Sequence, residues 1–373
     1  MKSTTPTISV LCDACGPPVL QLFAGLTGLR SKRRIRLDYN LKPSAASRTF
    51  HGGTLWLQLE MAGRAIKVCF DLFDGGKIIS PDGLEKADVY FKRSYDPAVV
   101  ETLEPGERAK VKPFGLNFGC LGDADKDIAR RTVIERRLRE AVGTPLSRDE
   151  WKFRTKLIIS AVSPPGLPGP VGRFLIPRES AFRAGSGTRR QETVLFQPRI
   201  YAPEGAARAL NILDLNEQRV RLVRALRRHF GHRFVGGVPR NRFAEAYCPD
   251  CLTTFPDDQW HYIRMLRTCS VAVVTEGLHG SIPWKVPEYL AAGLCIVSDP
   301  LRYQLPAPLL SEEHLLLYST DEACIDACDR LLSNPDHRRS MEAANFAYYD
   351  SNVFSEQLMA RCIDAASALV DRG

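Results

Sequence analysis

A two-domain α/β fold, each domain a parallel sheet with helices on its faces, is what this sequence predicts. Three observations lead there. The chain of 373 residues is too long for one ordinary core and points to two domains of roughly 150 to 200 residues. Short apolar runs alternate with helical patterns through both halves. Between them, residues 163–187 are rich in Pro, Gly and Ser (SPPGLPGPVG, then RAGSG), the composition of a linker or long loop.

In the first half, strands are expected at residues 8–12, 55–59, 66–70, 89–91 and 111–116, and a charged helix at 125–141 with Ile128, Val133, Ile134 and Leu138 on one side. The second half opens with a strand at 194–198. A helix at 217–230 follows, carrying Val220, Val223, Leu226 and Phe230 at helical spacing. A strand from Arg233 ends at Gly236 and Gly237, and a helix at 257–269 buries Trp260, Ile263 and Leu266. Residues 271–275 are fully apolar, as a parallel strand covered on both faces requires. A short helix at 285–292 closes at Gly293, a residue suited to a left-handed cap. Strands are expected at 294–298 and 315–318. Residues 319–322 (STDE) have the form of a capping box before a helix ending near Leu332, and the tail from Arg338 is helical. The boundaries expected are 1–185, 186–345, and a terminal helix at 346–373 packing back toward the first domain.

Composition narrows the class. Hydrophobic residues make up 44% and charged residues 25%, which excludes wholesale disorder. No apolar run reaches the roughly 20 residues that span a bilayer, and the N-terminus lacks the features of a signal peptide, so a cytoplasmic chain is expected. Eleven cysteines, an odd number with several inside apolar runs, read as reduced core thiols. The pairs Cys12–Cys15 and Cys248–Cys251 stand far apart in sequence and lack a nearby His, so neither suggests structural zinc. The net charge of +8 is uneven: residues 1–190 hold 32 Lys and Arg against 20 Asp and Glu, residues 191–373 hold 19 against 23. Basic clusters at 30–36 (RSKRRIR) and 130–139 fit a solvated face or a surface for an acidic partner, such as an anionic membrane. No DNA- or RNA-binding motif accompanies them, so nucleic acid is not expected.

Ligands of open α/β sheets bind beyond the carboxyl ends of the strands. The segment after the apolar strand at 271–275 reads EGLHGSIPWKVPE, residues 276–288. Its glycines allow close backbone approach, and they lead into a helix whose first N–H groups favour an anion. Lys285 stands at that helix start, where it suits phosphate, and Glu288 one turn on suits sugar hydroxyls. The same features also fit an ordinary strand-to-helix loop with a lysine cap.

Residues 276–299 (EGLHGSIPWKVPEYLAAGLCIVSD) resemble the donor-binding signature of GT-B glycosyltransferases, of the group 1 and spore-coat types, with distant similarity to fucosyltransferase-like donor domains. The resemblance spans roughly residues 190–350. It implies two Rossmann-like domains facing across a cleft, the first binding the acceptor and the second the nucleotide-sugar donor. By this resemblance Glu288 is the ribose ligand, Gly280, Ser281 and Lys285 lie by the diphosphate, and Glu276 or His279 faces the sugar. The family's retaining members place seven residues between two glutamates; here eleven separate Glu276 from Glu288, which leaves retention or inversion open. Residues 194–201 (VLFQPRIY) resemble the family's first donor-domain strand, and Arg199 takes the place of its diphosphate-pairing base.

An inverting transfer needs a base to take the acceptor proton. Candidates in the first half are Asp13, at the end of the first strand, and His51, before Gly52 and Gly53, with Asp71 and Asp74 behind them. Lys92 and Arg93 fit either an anion site or a solvated loop. Asp123 and Asp125 form a short acidic pair before a helix, better explained by the helix dipole than by a metal. The implied activity is metal-independent transfer of a sugar from a UDP-, GDP- or other nucleotide sugar to a glycan or lipid-linked acceptor in cell-surface polysaccharide or lipopolysaccharide assembly. The expected placement is the cytoplasm or the inner membrane face, and no tightly bound cofactor is expected. A 2-epimerase-like enzyme and a non-catalytic nucleotide-sugar-binding protein are the alternatives. Neither GxxxxGK[ST] nor a clean GxGxxG after a strand appears, which disfavours P-loop kinases and dehydrogenases.

Overall fold

The computed structural model describes residues 5–12, 16–42, 54–77, 79–123, 127–128, 147–163, 175–184, 188–203, 212–256 and 258–371. They form two compact units. The first comprises Met1–Ser180, Tyr303–Ala307 and Ser351–Gly373, and the second Ala181–Arg302 and Pro308–Asp350. Each is a Rossmann-like α/β unit, the fold class expected from the sequence.

The sheet of the first unit has the order β2-β1-β3-β4-β5-β6, with β1 Thr7–Cys12, β2 Arg36–Lys42, β3 Thr54–Met61, β4 Arg64–Asp71, β5 Val89–Lys92 and β6 Val111–Pro113. It departs from the all-parallel expectation at β3, which runs antiparallel to both β1 and β4. The cause is local. Met61 pairs with Arg64, leaving a two-residue turn in which Ala62 and Gly63 both have positive φ, +53° and +81°, the form that matches strand twist in tight hairpins. β2 was not foreseen either; its alternation of buried Ile35 and Leu37 with exposed Arg36 and Asp38 hides inside a basic run.

Against this sheet pack the helices Pro17–Ser31 and Ser355–Asp371, which share one core with its strands. Buried polar groups tie the terminal helix in place. Ser355 Oγ donates to Glu179 Oε2 at 2.5 Å, and Gln21 Nε2 donates to Val353 O at 2.7 Å. The helix expected at 125–141 lies almost wholly outside the described residues.

The second unit holds a five-stranded, wholly parallel sheet in the order β11-β10-β9-β7-β8, with β7 Gln191–Phe196, β8 Phe234–Gly236, β9 Cys269–Val274, β10 Cys295–Ser298 and β11 Leu315–Leu317. β9 lies at its centre and all six of its residues are buried, the environment its continuous apolar run calls for. Helices Ile212–Phe230 and Asp321–Ser333 cover one face through Val220, Val223, Leu226, Cys324, Cys328 and Leu331. The latter helix is capped by Thr320, whose hydroxyl accepts from Ala323 N at 3.1 Å, one residue later than the capping box read from the sequence. Gly293 takes the left-handed conformation (φ 65°, ψ 35°) that ends the helix Lys285–Ala292.

Candidate functional site at the carboxyl ends of the second sheet

Beyond β9 the chain makes a tight, self-closed loop. Gly277 N donates to Ser281 O at 2.7 Å, and Ser281 N to Leu278 O at 3.1 Å. His279 and Gly280 both adopt positive φ, +59° and +71°. For a histidine that conformation is uncommon and costs energy; for glycine it is free. A Cβ on Gly277 would lie 2.5 Å from Ser281 Oγ. The Ser281 side chain is therefore folded into the loop, buried against Gly277. The loop delivers the chain to the helix Lys285–Ala292, where among the described residues no side chain caps the start at Trp284. Such an end suits an anion.

Lys285 and Glu288 share one turn of that helix. Burial pushes the Glu288 carboxyl above the usual carboxylate range, while the charges of Lys285 and Arg199 and a hydrogen bond from Tyr262 pull it back. Arg199, exposed just beyond β7, thus acts on Glu288 from a neighbouring strand end. Tyr262 Oη donates to Glu288 Oε2 at 2.6 Å, and Lys285 Nζ lies 4.4 Å from the Tyr262 ring centre.

The two strand-end loops are braced from behind by Arg219, which is only 5% exposed. It donates to Arg199 O at 2.5 Å, Glu276 O at 2.7 Å and Thr275 Oγ1 at 3.0 Å. Its guanidinium therefore joins the end of β7 to the end of β9. Asp299, just past β10, accepts from Glu276 N at 3.0 Å and from Gln218 Nε2 at 3.4 Å. Burial pushes its carboxyl up to about 6, and its Oδ1 is buried with no partner among the described residues. The Glu276 carboxylate pairs with Arg302 Nε at 2.8 Å.

Of the residues expected at this site, Glu276, His279, Gly280 and Ser281 lie in one loop, Lys285 and Glu288 lie on the helix it leads into, and Arg199 lies exposed just beyond β7. Sequence reasoning missed Arg219, Tyr262, Asp299 and Arg302. Arg219 stands beside the apolar stripe of its helix and reads as a solvated charge; Tyr262 reads as part of an ordinary amphipathic helix.

The first unit gives a different outcome. Asp13 and His51 lie outside the described residues, as does Asp125. Asp71 and Asp74 are not free bases. Asp71 is 3% exposed and is held by Lys92 Nζ at 3.1 Å and by the Tyr90 hydroxyl, while Asp74 pairs with Arg93. Lys92 and Arg93 are 1% and 6% exposed, so they brace the carboxyl ends of β4 and β5 from within and form neither a solvated loop nor an open anion site. Asp123 accepts from Ser180 Oγ at 2.5 Å. Among the described residues no group of three or more His, Cys, Asp or Glu is placed to hold a metal. Cys248 and Cys251 are buried in the second unit's core, and burial pushes the Cys251 thiol up to about 11. Among the described residues no helix is long and apolar enough to cross a membrane.

Comparison with known proteins finds a family match over part of the chain. Residues 206–362 match the family model described as glycosyl transferase-like. No curated protein matched in a sequence search. Solved structures with similar folds include a glycosyltransferase from Rickettsia africae, 12% identical, covering 95% of this chain and 82% of that one with a TM-score of 0.41. Others are HepE from Anabaena, 8% identical, covering 96% and 99% with a TM-score of 0.38, and WaaG, a glycosyltransferase involved in lipopolysaccharide biosynthesis, 12% identical, covering 96% and 98% with a TM-score of 0.37.

Proposed function

From the match of residues 206–362 to the glycosyl transferase-like family, we propose that the chain transfers a sugar from a nucleotide-diphosphate sugar to a hydroxyl of a glycan or glycolipid acceptor. The observation that carries the reading is Lys285 and Glu288 sharing one turn at a helix start without a side-chain cap, just after the glycine-containing loop beyond β9. Two cations and a helix N-terminus suit a diphosphate, and the carboxyl group of Glu288 a turn away suits the ribose diol. The second unit is then the donor half and the first the acceptor half.

In the reaction the acceptor oxygen bonds to the anomeric carbon as the bond from that carbon to the diphosphate oxygen breaks. The acceptor proton passes to a base, and the nucleoside diphosphate leaves with the electron pair. Lys285 and Arg199 would neutralise the charge that grows on the leaving group, which is where a fixed electrostatic environment accelerates such steps most. Glu276 and His279 would meet the sugar, with Asp13 or His51 as base from the first unit. Arg302 already holds the Glu276 carboxylate, so Glu276 would act on the sugar as an oriented acceptor. The exposed Arg33, Arg34 and Arg36 fit an acceptor presented at an anionic membrane face inside the cell.

Titration with UDP, GDP and CMP should find one that binds, and Lys285→Ala should weaken it by about tenfold or more, the loss of a charged hydrogen bond. Nucleotide release from the matching sugar donor, measured with and without acceptor glycans, tests transfer. A wild-type protein that binds none of the three nucleotides would end this reading.

A further inference from the structure

Two charged side chains assigned to the donor meet on one aromatic residue. Tyr262 stands on the helix Gln259–Thr268, which packs against the helix Lys285–Ala292. Its hydroxyl donates to Glu288 Oε2 at 2.6 Å, and its ring face lies under Lys285 Nζ, 4.4 Å from the ring centre. We propose that Tyr262 is a positioning residue of the nucleotide site, holding the Glu288 carboxyl for the ribose with its hydroxyl and Lys285 over the diphosphate position with its ring. This rests on the donor-site reading given above.

The physical need is clear from the side chains involved. Glutamate and lysine carry several free torsions, and ordering them at the moment of binding subtracts from affinity. A tyrosine fixed by its own helix removes that cost in advance for both. Its hydroxyl bonds only one carboxylate oxygen, which leaves the other for a ligand. The bond also selects the charged form, because a hydroxyl donor favours the carboxylate over the acid. The ring supplies a negative face for the ammonium, an attraction that strengthens where water is partly excluded.

The groups facing Glu288 are Lys285 on its own helix, Tyr262 from the opposed helix, Arg199 from the end of β7, and the adjoining Tyr289. Burial raises the Glu288 carboxyl, and Lys285, the Tyr262 hydroxyl and Arg199 oppose that rise. Removing the hydroxyl takes away one opposing influence, so protonation moves to higher pH. Nucleotide binding that needs the carboxylate then fails earlier on the acid side.

The experiment titrates the full chain with UDP, GDP and CMP between about pH 5 and about pH 8, following the nucleotide that binds wild type. Tyr262→Phe keeps the ring and removes the hydroxyl; it should weaken binding by about tenfold at neutral pH and shift the acid limb of the affinity profile upward. Tyr262→Leu removes the platform for Lys285 as well and should bind more weakly still. Glu288→Gln should abolish the acid limb, with or without the Tyr262→Phe change, while thermal unfolding reports whether each variant is folded. Wild-type affinity and profile in Tyr262→Phe would overturn the role while leaving the donor site standing. So would an even loss at every pH, or an acid limb that persists in Glu288→Gln. A wild-type chain that binds no nucleotide would overturn both readings together.

Discussion

Asp299 and Arg219 show how single side chains set the geometry of the site without being offered to a ligand. Arg219 places its donors on the carbonyls of Arg199 and Glu276 and on Thr275 Oγ1, and burial lowers its pKa from the usual guanidinium value. Asp299 holds the amide of Glu276 with one oxygen and buries the other without a partner among the described residues. Its carboxyl, ordinarily at 3.8, is pushed up to about 6, chiefly by burial. Folding therefore favours the protonated form. The stability this contributes is fully present below the unfolded value and is lost as pH rises through about 6. Between about pH 4 and about pH 7, wild type should lose ~1–2 kcal/mol more stability than Asp299→Asn, the full linkage being reduced by partial solvent screening. Urea denaturation of both proteins across that range checks this; parallel slopes would show that Asp299 is not held away from water as its surroundings suggest.

At the scale of elements, two helices of the first unit approach closely because glycine allows it. A Cβ on Gly25 would stand 2.2 Å from Ser355 O and 2.5 Å from Met359 Cγ, whereas the nearest atoms to one on Gly28 belong to the Glu356 side chain, at 2.5 Å for its Cγ. Backbone cannot yield and a flexible carboxylate arm can. Gly25→Ala should therefore destabilise by ~1–3 kcal/mol through overpacking, even after the gain in helix propensity, while Gly28→Ala should cost less because a side chain rather than backbone must shift. Thermal unfolding of the two variants makes the comparison; equal melting points would contradict the close packing of Pro17–Ser31 on Ser355–Asp371. The elements legible in advance were those with strong local periodicity, such as β9 and the helices at 212–230 and 259–268. β2 escaped because Arg36 and Asp38 interrupt its apolar residues. The reversal of β3 escaped because Ala62 and Gly63 are a weak turn signal beside the Asn-Gly and Asp-Gly pairs that mark such hairpins.

For the whole molecule, the excess of positive charge in the first 190 residues bears on where the chain works. Within the cluster at 30–36, Arg30 pairs with Asp127 and the exposed Lys32 with Glu356 at 2.5 Å, which leaves Arg33, Arg34 and Arg36 as exposed cations with no ion pair among the described residues. Charge at a membrane surface attracts basic residues by about 1 kcal/mol each. Reversing all three to Glu should reduce binding to vesicles containing anionic lipid by about a hundredfold or more, with no change on neutral vesicles; unchanged co-sedimentation would remove the membrane from the proposed function. The sequence by itself determined that there are two α/β units and that the loop of residues 276–284 feeds a helix bearing Lys285 and Glu288. These are local facts, written in periodicity and in residues next to one another. Only the tertiary structure decided that Lys92 and Arg93 are internal braces, that Arg219 joins two strand ends, and that Tyr262 meets both Lys285 and Glu288. Those outcomes depend on packing between elements distant in sequence, where a charged or aromatic residue carries no local mark of whether it will meet water or another side chain.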